Sequence, residues 1–290
     1  LRAFQAIRAK LRAYWVLTKP LQSGLLLTTG LAGFMSARCP VLNWEALLAL
    51  TGSLFLAIGG STVLNMVYDR DIDAKMKRTA NRPLPLSLVE ASNALMVGLA
   101  LAWLGVVWAF ALSPLYGAIV FAGLFFDVVV YTIWLKRRTP WSIVWGGISG
   151  GMPILAGRAL GTGQIDWIGL SLALGVLLWI PTHIMTFNMR YCEDYRRAGI
   201  PTFPSAYGFQ MTRVTIALSS LAAALAIAVA AIGIGMTWGY LRLLAVLSAG
   251  LLALAITSVM RPSERLNFGL FKYASVYMLS SMLLVVVEAI

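Results

Sequence analysis

Residues 65–73 read Asn65-Met66-Val67-Tyr68-Asp69-Arg70-Asp71-Ile72-Asp73, and they close a long apolar run that begins near residue 45. Asn65, Asp69 and Asp73 are spaced i, i+4, i+8, which on a helix puts all three on one stripe and points Asp71 elsewhere. Three oxygen-bearing side chains on one stripe at a helix end suit a hard divalent cation such as Mg²⁺. Carboxylates at the edge of an apolar span are costly and as a rule functional. The simpler reading is a solvated helix end whose acids pair with Arg70 and Lys77. The residues that follow argue against it.

They run Lys75-Met76-Lys77-Arg78-Thr79-Ala80-Asn81-Arg82-Pro83-Leu84-Pro85. Acids and cations side by side make sense when both bind a third party. A diphosphate is such a party: Mg²⁺ bridges carboxylate to phosphate, while Arg and Lys neutralise the other oxygens. A basic patch meeting anionic lipid is the plainer alternative, but it needs no acids.

Working outward, the same alternation of apolar run and polar connection fills the chain. Of its 290 residues 60% are apolar and 12% charged, against roughly a quarter charged in a soluble domain. Mean hydropathy is +0.82. Soluble globular, disordered and fibrous classes are excluded, because one core of this length cannot hide so much apolar surface. Nine stretches are long enough to cross a bilayer: about 18–36, 45–68, 90–112, 115–135, 142–160, 167–189, 213–235, 239–260 and 268–288. The expected fold is all-α and polytopic, with residues 1–290 as one domain. Arg2, Arg8, Lys10, Arg12 and Lys19 interleave with apolar residues, so residues 1–17 read as an amphipathic interfacial helix.

The net charge is +12. Alternating spans leave only Arg38, Arg158 and Arg242 on one side, and therefore 20 of the 23 Lys and Arg residues on the other. By the positive-inside rule that richer side, with the N-terminus, is cytoplasmic and the C-terminus lies outside. The charge is aimed at a membrane, not at nucleic acid. Cys39 and Cys192 have no CxxC spacing and suggest no disulfide framework.

The same side carries a second cluster, Asn188-Met189-Arg190-Tyr191-Cys192-Glu193-Asp194-Tyr195-Arg196-Arg197, running into Ala198-Gly199-Ile200-Pro201. It repeats the order of Asn, acids, cations and Gly/Pro. Asn188 and Asp194 are six residues apart, so a break must bring them together. Two such clusters on one face could hold two Mg²⁺ ions with a diphosphate between them.

These motifs resemble those of the UbiA superfamily of intramembrane prenyltransferases. Asn65–Asp73 and the segment Lys77–Pro85 match the first motif of that family, and Glu193-Asp194 stands at its second acidic motif without a literal DxxxD. The resemblance implies nine helices around a central cavity open to lipid. It implies transfer of a polyprenyl group from an allylic diphosphate to an acceptor, usually aromatic. Asp69, Asp73 and Asp194 would be the catalytic acids. Asn65, Asp69, Asp73, Asn188 and Asp194 would hold metal or diphosphate, with Glu193 close by. Lys77, Arg78, Arg82, Lys136 and Arg137 would hold the diphosphate or close over it.

Leu17-Thr18-Lys19-Pro20, Asp71–Met76, Tyr131–Pro140 and Asp194–Pro201 are similar to the haem O synthase (protohaem farnesyltransferase) branch. Three features depart from it: Pro181-Thr182-His183-Ile184-Met185, Leu21 and Gly157-Arg158. The expected acceptor is therefore of 4-hydroxybenzoate type or another quinone or haem precursor, with haem B as the alternative. A transporter, the rival of another class, should carry its polar groups near the midplane; here they gather at one rim.

Single residues add detail. Asp127 lies inside the fourth span and either orients an acceptor and takes its proton or hydrogen-bonds to a neighbouring helix. Tyr131, one turn nearer the rim, either lines the cavity or packs. Arg158 is expected to snorkel to the outer interface, and His183 to be a satisfied structural histidine. The pairs Gly59-Gly60, Gly146-Gly147 and Gly150-Gly151 fit close helix packing.

Overall fold

A computed structural model describes residues 2–38 and 44–289, without the side chains of residues 2–4, 6, 7 and 9. Cys39 and the Arg2 side chain therefore lie outside the described residues. Every regular element among them is helical. In chain order these are α1 (Arg2–Leu17), α2 (Pro20–Met35), α3 (Trp44–Tyr68), α4 (Arg70–Lys75), α5 (Ala91–Leu112), α6 (Pro114–Leu135), α7 (Ser142–Thr162), α8 (Trp167–Arg190), α9 (Cys192–Arg197), α10 (Phe203–Ile234), α11 (Trp238–Met260) and α12 (Glu264–Glu288).

All nine expected spans are helices. Seven of them, α3, α5, α6, α8, α10, α11 and α12, are long and apolar enough to cross a membrane on those grounds alone. The other two need their neighbours. Helix α2 has only 16 residues, and α7 is diluted by glycines at 146, 147, 150, 151, 157 and 161. Helix α10 starts ten residues before the expected 213, with a kink where Gly208 takes φ 79°.

Lipid gives apolar helices no hydrophobic reason to associate, so small residues and close contact must do it. Helices α2 and α7 meet backbone to backbone. A Cβ at Gly33 would overlap the Ile154 carbonyl oxygen, and one at Gly157 would overlap that of Gly30. Gly60 presses likewise on Ala102 between α3 and α5. The two larger apolar cores are built around Leu50, Leu54, Tyr116 and Ile119 and around Leu172, Ile227, Leu251 and Tyr277.

Arg158 corrects a sequence expectation. It does not snorkel; it is 5% exposed. Its guanidinium donates to Asp166 at 2.7 and 2.6 Å, and to the Ser36 carbonyl and hydroxyl at 2.7 and 2.9 Å. A charge this far from water needs a partner. The left-handed turn at Gly163 (φ 74°) brings Asp166 back to supply it. Asp166 also caps α8 by accepting from the Gly169 N–H.

Candidate active site

The first acidic motif straddles a break. Helix α3 ends at Tyr68, Asp69 takes φ −88°, ψ 4°, and α4 begins. The backbone bonds Asp69 N to Asn65 O (2.9 Å) and Asp73 N to Asp69 O (2.8 Å) carry the i, i+4 relation through the break. Asp69 and Asp73 are buried at 6% and 5% exposure. Asp69 pairs with Lys136, while its Oδ1, 4.0 Å from an Arg137 nitrogen, is buried without a hydrogen bond among the described residues. Asp73 receives two bonds from one Arg82 nitrogen, at 2.9 and 2.8 Å. Asp71 points outward, as the stripe requires, and is gripped by Arg137 at 2.9 and 2.8 Å. That bond holds its carboxyl below the usual range.

The second motif repeats the device. Helix α8 ends at Arg190, Tyr191 breaks it with φ −109°, ψ 25°, and the short α9 follows. The break expected from the spacing of Asn188 and Asp194 is present, but it does not bring the pair to line one cavity. Asn188 is buried, Asp194 half-buried and Glu193 exposed on Arg196 at 2.8 Å. The two motifs touch through apolar side chains: Ile72 and Met76 pack with Ala198 and Ile200, with Tyr195 against them. Cys192 has a thiol pKa raised by burial, which makes it a poor nucleophile.

Between the motifs lies a polar chamber of about 230 Å³. It opens into a larger, mostly apolar chamber of about 340 Å³ among α2, α3, α6, α7, α8 and α12. Lys19, Gln22, Tyr131, Ile143, His183 and Ile184 line both and mark the seam. Of the expected site residues, Asp69, Asp73, Arg78, Arg82, Lys136 and Asn188 line the polar chamber. Asn65 and Asp127 line the apolar one, and Tyr131 lines both. Lys77, Arg137, Glu193 and Asp194 line neither. Arg78 rests over the rings of Phe187 and Tyr191 at 4.8 and 5.5 Å, which ties the basic loop to the end of α8.

Among the described residues no three His, Cys, Asp or Glu side chains stand close enough to form a metal cluster. The buried carboxylates are neutralised by Lys136 and Arg82 instead. The donor set still suits a hard cation: a buried, unbonded carboxylate oxygen on Asp69, with Asp73 and Asn188 on the same chamber.

Helix α6 holds a feature that hydropathy does not show. From Phe126 to Leu135 it is a π-helix, and the Lys136 N–H bonds back to the Tyr131 carbonyl at 2.8 Å. Asp127 and Lys136 are nine residues apart. In an α-helix that is two and a half turns, on opposite faces. At about 4.4 residues per turn it is two turns, on the same face. This is how one helix presents Asp127, Tyr131 and Lys136 to one cavity system. Asp127 accepts from Ser61 and, at 2.8 Å, from the Asn65 amide, whose oxygen accepts from Thr132 at 2.8 Å. The expected bond to a neighbouring helix is therefore present, and the residue lines the cavity as well.

By sequence Lys19 counts among the topology charges. The structure places it at the seam, in the turn ahead of α2, in a left-handed conformation with φ 46°, ψ 63°. Burial, then the charges of Arg82 and Lys136, lower its pKa to about 8. Such a backbone before a proline is sparsely populated and marks a constrained position. The Thr18-Lys19-Pro20 segment was the available signal. His183 is stacked between Trp179 and Phe271, with centroids at 4.9 and 4.5 Å, and contacts the Ser275 hydroxyl at 3.2 Å. It is satisfied, as expected, and also lines both chambers.

A profile of the UbiA prenyltransferase family matches residues 26–276. The chain belongs to that family. It is an intramembrane prenyltransferase and a multi-pass membrane protein. A protohaem IX farnesyltransferase of Pyrobaculum islandicum is 38% identical over 263 residues, covering 90% of this chain and 94% of the relative. One of Archaeoglobus fulgidus is 44% identical over 213 residues, 73% of this chain and 75% of the relative. Among solved structures, a digeranylgeranylglyceryl phosphate synthase superposes with TM-score 0.80 at 19% identity, covering 97% of this chain and 98% of the other. A UbiA homologue from Archaeoglobus fulgidus bound to GPP and Mg²⁺ gives TM-score 0.70 at 15% identity, covering 95% and 99%.

Proposed function

We propose that this prenyltransferase moves a farnesyl group from its allylic diphosphate to protohaem IX. Two observations support the reading. The polar chamber over an apolar one suits a diphosphate head with a hydrocarbon tail. The relatives that share 38–44% identity are named for that donor and acceptor. Identity over 263 residues outweighs the local departures at residues 21, 157–158 and 181–185, so haem moves ahead of the 4-hydroxybenzoate type.

In this reading Asp69, Asp73 and Asn188 would hold Mg²⁺, two ions being proposed; Asn65, one turn from Asp69, and Asp194, on α9 off the polar chamber, complete the proposed ligand set. The metal, when bound, supplies positive charge that stabilises the departing diphosphate. Lys19, Arg78, Arg82 and Lys136 bind its remaining oxygens, and Lys77, Arg137 and Glu193 lie outside this set. The allylic C–O bond breaks at the seam and its electron pair leaves with the diphosphate. The carbon that is left is cation-like, and the apolar chamber keeps water from it until an electron pair of the acceptor forms the new bond to it. The Tyr131 and Trp179 faces stabilise its charge. The positive charge passed to the acceptor is then neutralised by water with release of one proton. Asp127 has one oxygen committed to Ser61 and Asn65; the other, without a bond among the described residues, orients the acceptor. Residues 1–290 act as one domain. The site end and the N-terminus face the cytoplasm and the C-terminus lies outside, on the support of the 20 cations at that end.

The test supplies purified protein with Mg²⁺ and geranyl, farnesyl or geranylgeranyl diphosphate. Each donor is paired with haem B or 4-hydroxybenzoate, and products are weighed by mass spectrometry. A farnesylated haem is expected. Product from 4-hydroxybenzoate alone overturns the acceptor, and no Mg²⁺-dependent diphosphate release from any donor overturns the chemistry.

A further inference from the structure

A groove of about 1000 Å³ lies outside the cavity system, between α1 and the loop that follows the first acidic motif. Its walls include Arg8, Leu11, Arg12 and Trp15 of α1, and Asn81 and Leu88 of the loop. Arg8 and Arg12 are one helical turn apart and share a face. Neither guanidinium has a partner among the described residues, and no acidic residue lines the groove. The apolar walls are open: Leu11, Trp15 and Leu88 are 65%, 53% and 63% exposed. Helix α1 leads directly into the first spanning helix, which holds this groove at the membrane surface.

Two unpaired cations beside exposed hydrocarbon call for a ligand with an anionic head and an apolar body. We propose that this groove binds an anionic phospholipid, its phosphate on Arg8 and Arg12 and its acyl chains along Leu11, Trp15 and Leu88. The loop wall links the groove to the active site. Asn81 lines the groove, while the adjacent Arg82 turns the other way and grips Asp73. A lipid seated against Asn81 and Leu88 therefore steadies the segment that carries Arg82.

The full chain is reconstituted with phosphatidylcholine alone or with added phosphatidylglycerol, then stripped of bulk lipid and examined by native mass spectrometry. A retained phosphatidylglycerol adduct is expected. Arg8→Gln and Arg12→Gln each lower its retention about five-fold and together about 30-fold, the worth of cations near an anionic headgroup. Lys10→Gln, exposed on α1 but outside the groove, leaves it unchanged. Hydrogen exchange across residues 77–88 slows with phosphatidylglycerol in the parent protein and not in the double variant. Three results overturn the proposal: Lys10→Gln matching Arg12→Gln, equal retention of phosphatidylcholine, or a second copy of the chain in place of the lipid.

Discussion

Asp69 and Asp71 stand two residues apart in one motif, and each faces a cation. Their surroundings predict opposite fates on neutralisation. The Asp69 side chain is 8% exposed, lines the polar chamber and keeps one oxygen unbonded; that of Asp71 is 53% exposed and outside the chamber. An exposed ion pair such as Asp71–Arg137 contributes about 0.2–1 kcal/mol, so Asp71→Asn should lower turnover by no more than about five-fold. Losing a preorganised group that stabilises transition-state charge costs about 100- to 1000-fold in kcat, and Asp69→Asn should fall in that range. It also strands Lys136, whose side chain is 21% exposed. The loss of stability should therefore stay below the ~3–5 kcal/mol of a fully buried broken pair. The assay is Mg²⁺-dependent diphosphate release in detergent, with a thermal melt of each variant to confirm folding. Equal losses in the two variants, or full release by Asp69→Asn, would refute the assignment.

Three further outcomes are expected. Asp166→Ala should lower the melting temperature more than Arg158→Met, because it leaves a 5% exposed guanidinium uncompensated and uncaps α8; the reverse order in thermal unfolding would place the pair in water. Gly157→Ala should cost about 1–3 kcal/mol by overpacking, toward the upper end since its obstacle is the Gly30 carbonyl and not a movable side chain; an unchanged melt would show that α2 and α7 are not in backbone contact. Lys19, with its pKa lowered to about 8, is charged below that pH and neutral above it. The kcat/KM for prenyl diphosphate should thus fall as pH rises past about 8, while Lys19→Arg holds its value to higher pH; a shared alkaline limb would remove Lys19 from diphosphate binding.

Hydropathy shows which segments lie in lipid, and the nine expected spans became helices for that reason. The Asn65, Asp69 and Asp73 stripe was legible because i, i+4 spacing is local geometry, and it survived the break at Asp69 through two ordinary backbone bonds. The break at Tyr191 was legible from the six-residue gap between Asn188 and Asp194. Rotation of each helix about its axis was not legible. Asp194, on α9, therefore sits off the polar chamber; Lys77 and Lys19 lie in the turns after α4 and ahead of α2, whose course is equally hidden in the sequence, and fall off the chamber and on it respectively. Arg158 was misread because its partner, Asp166, becomes a partner only through the turn at Gly163.

The π segment of α6 has one more consequence. Two turns of α-helix use about seven residues; this chain uses nine between Asp127 and Lys136. The surplus makes residues 126–135 a stretch where length, more than side-chain identity, sets what faces the cavity. Deleting one residue there would swing Lys136 about a quarter-turn from Asp69 with every remaining side chain intact. Insertions and deletions in this segment will therefore do more harm than most substitutions.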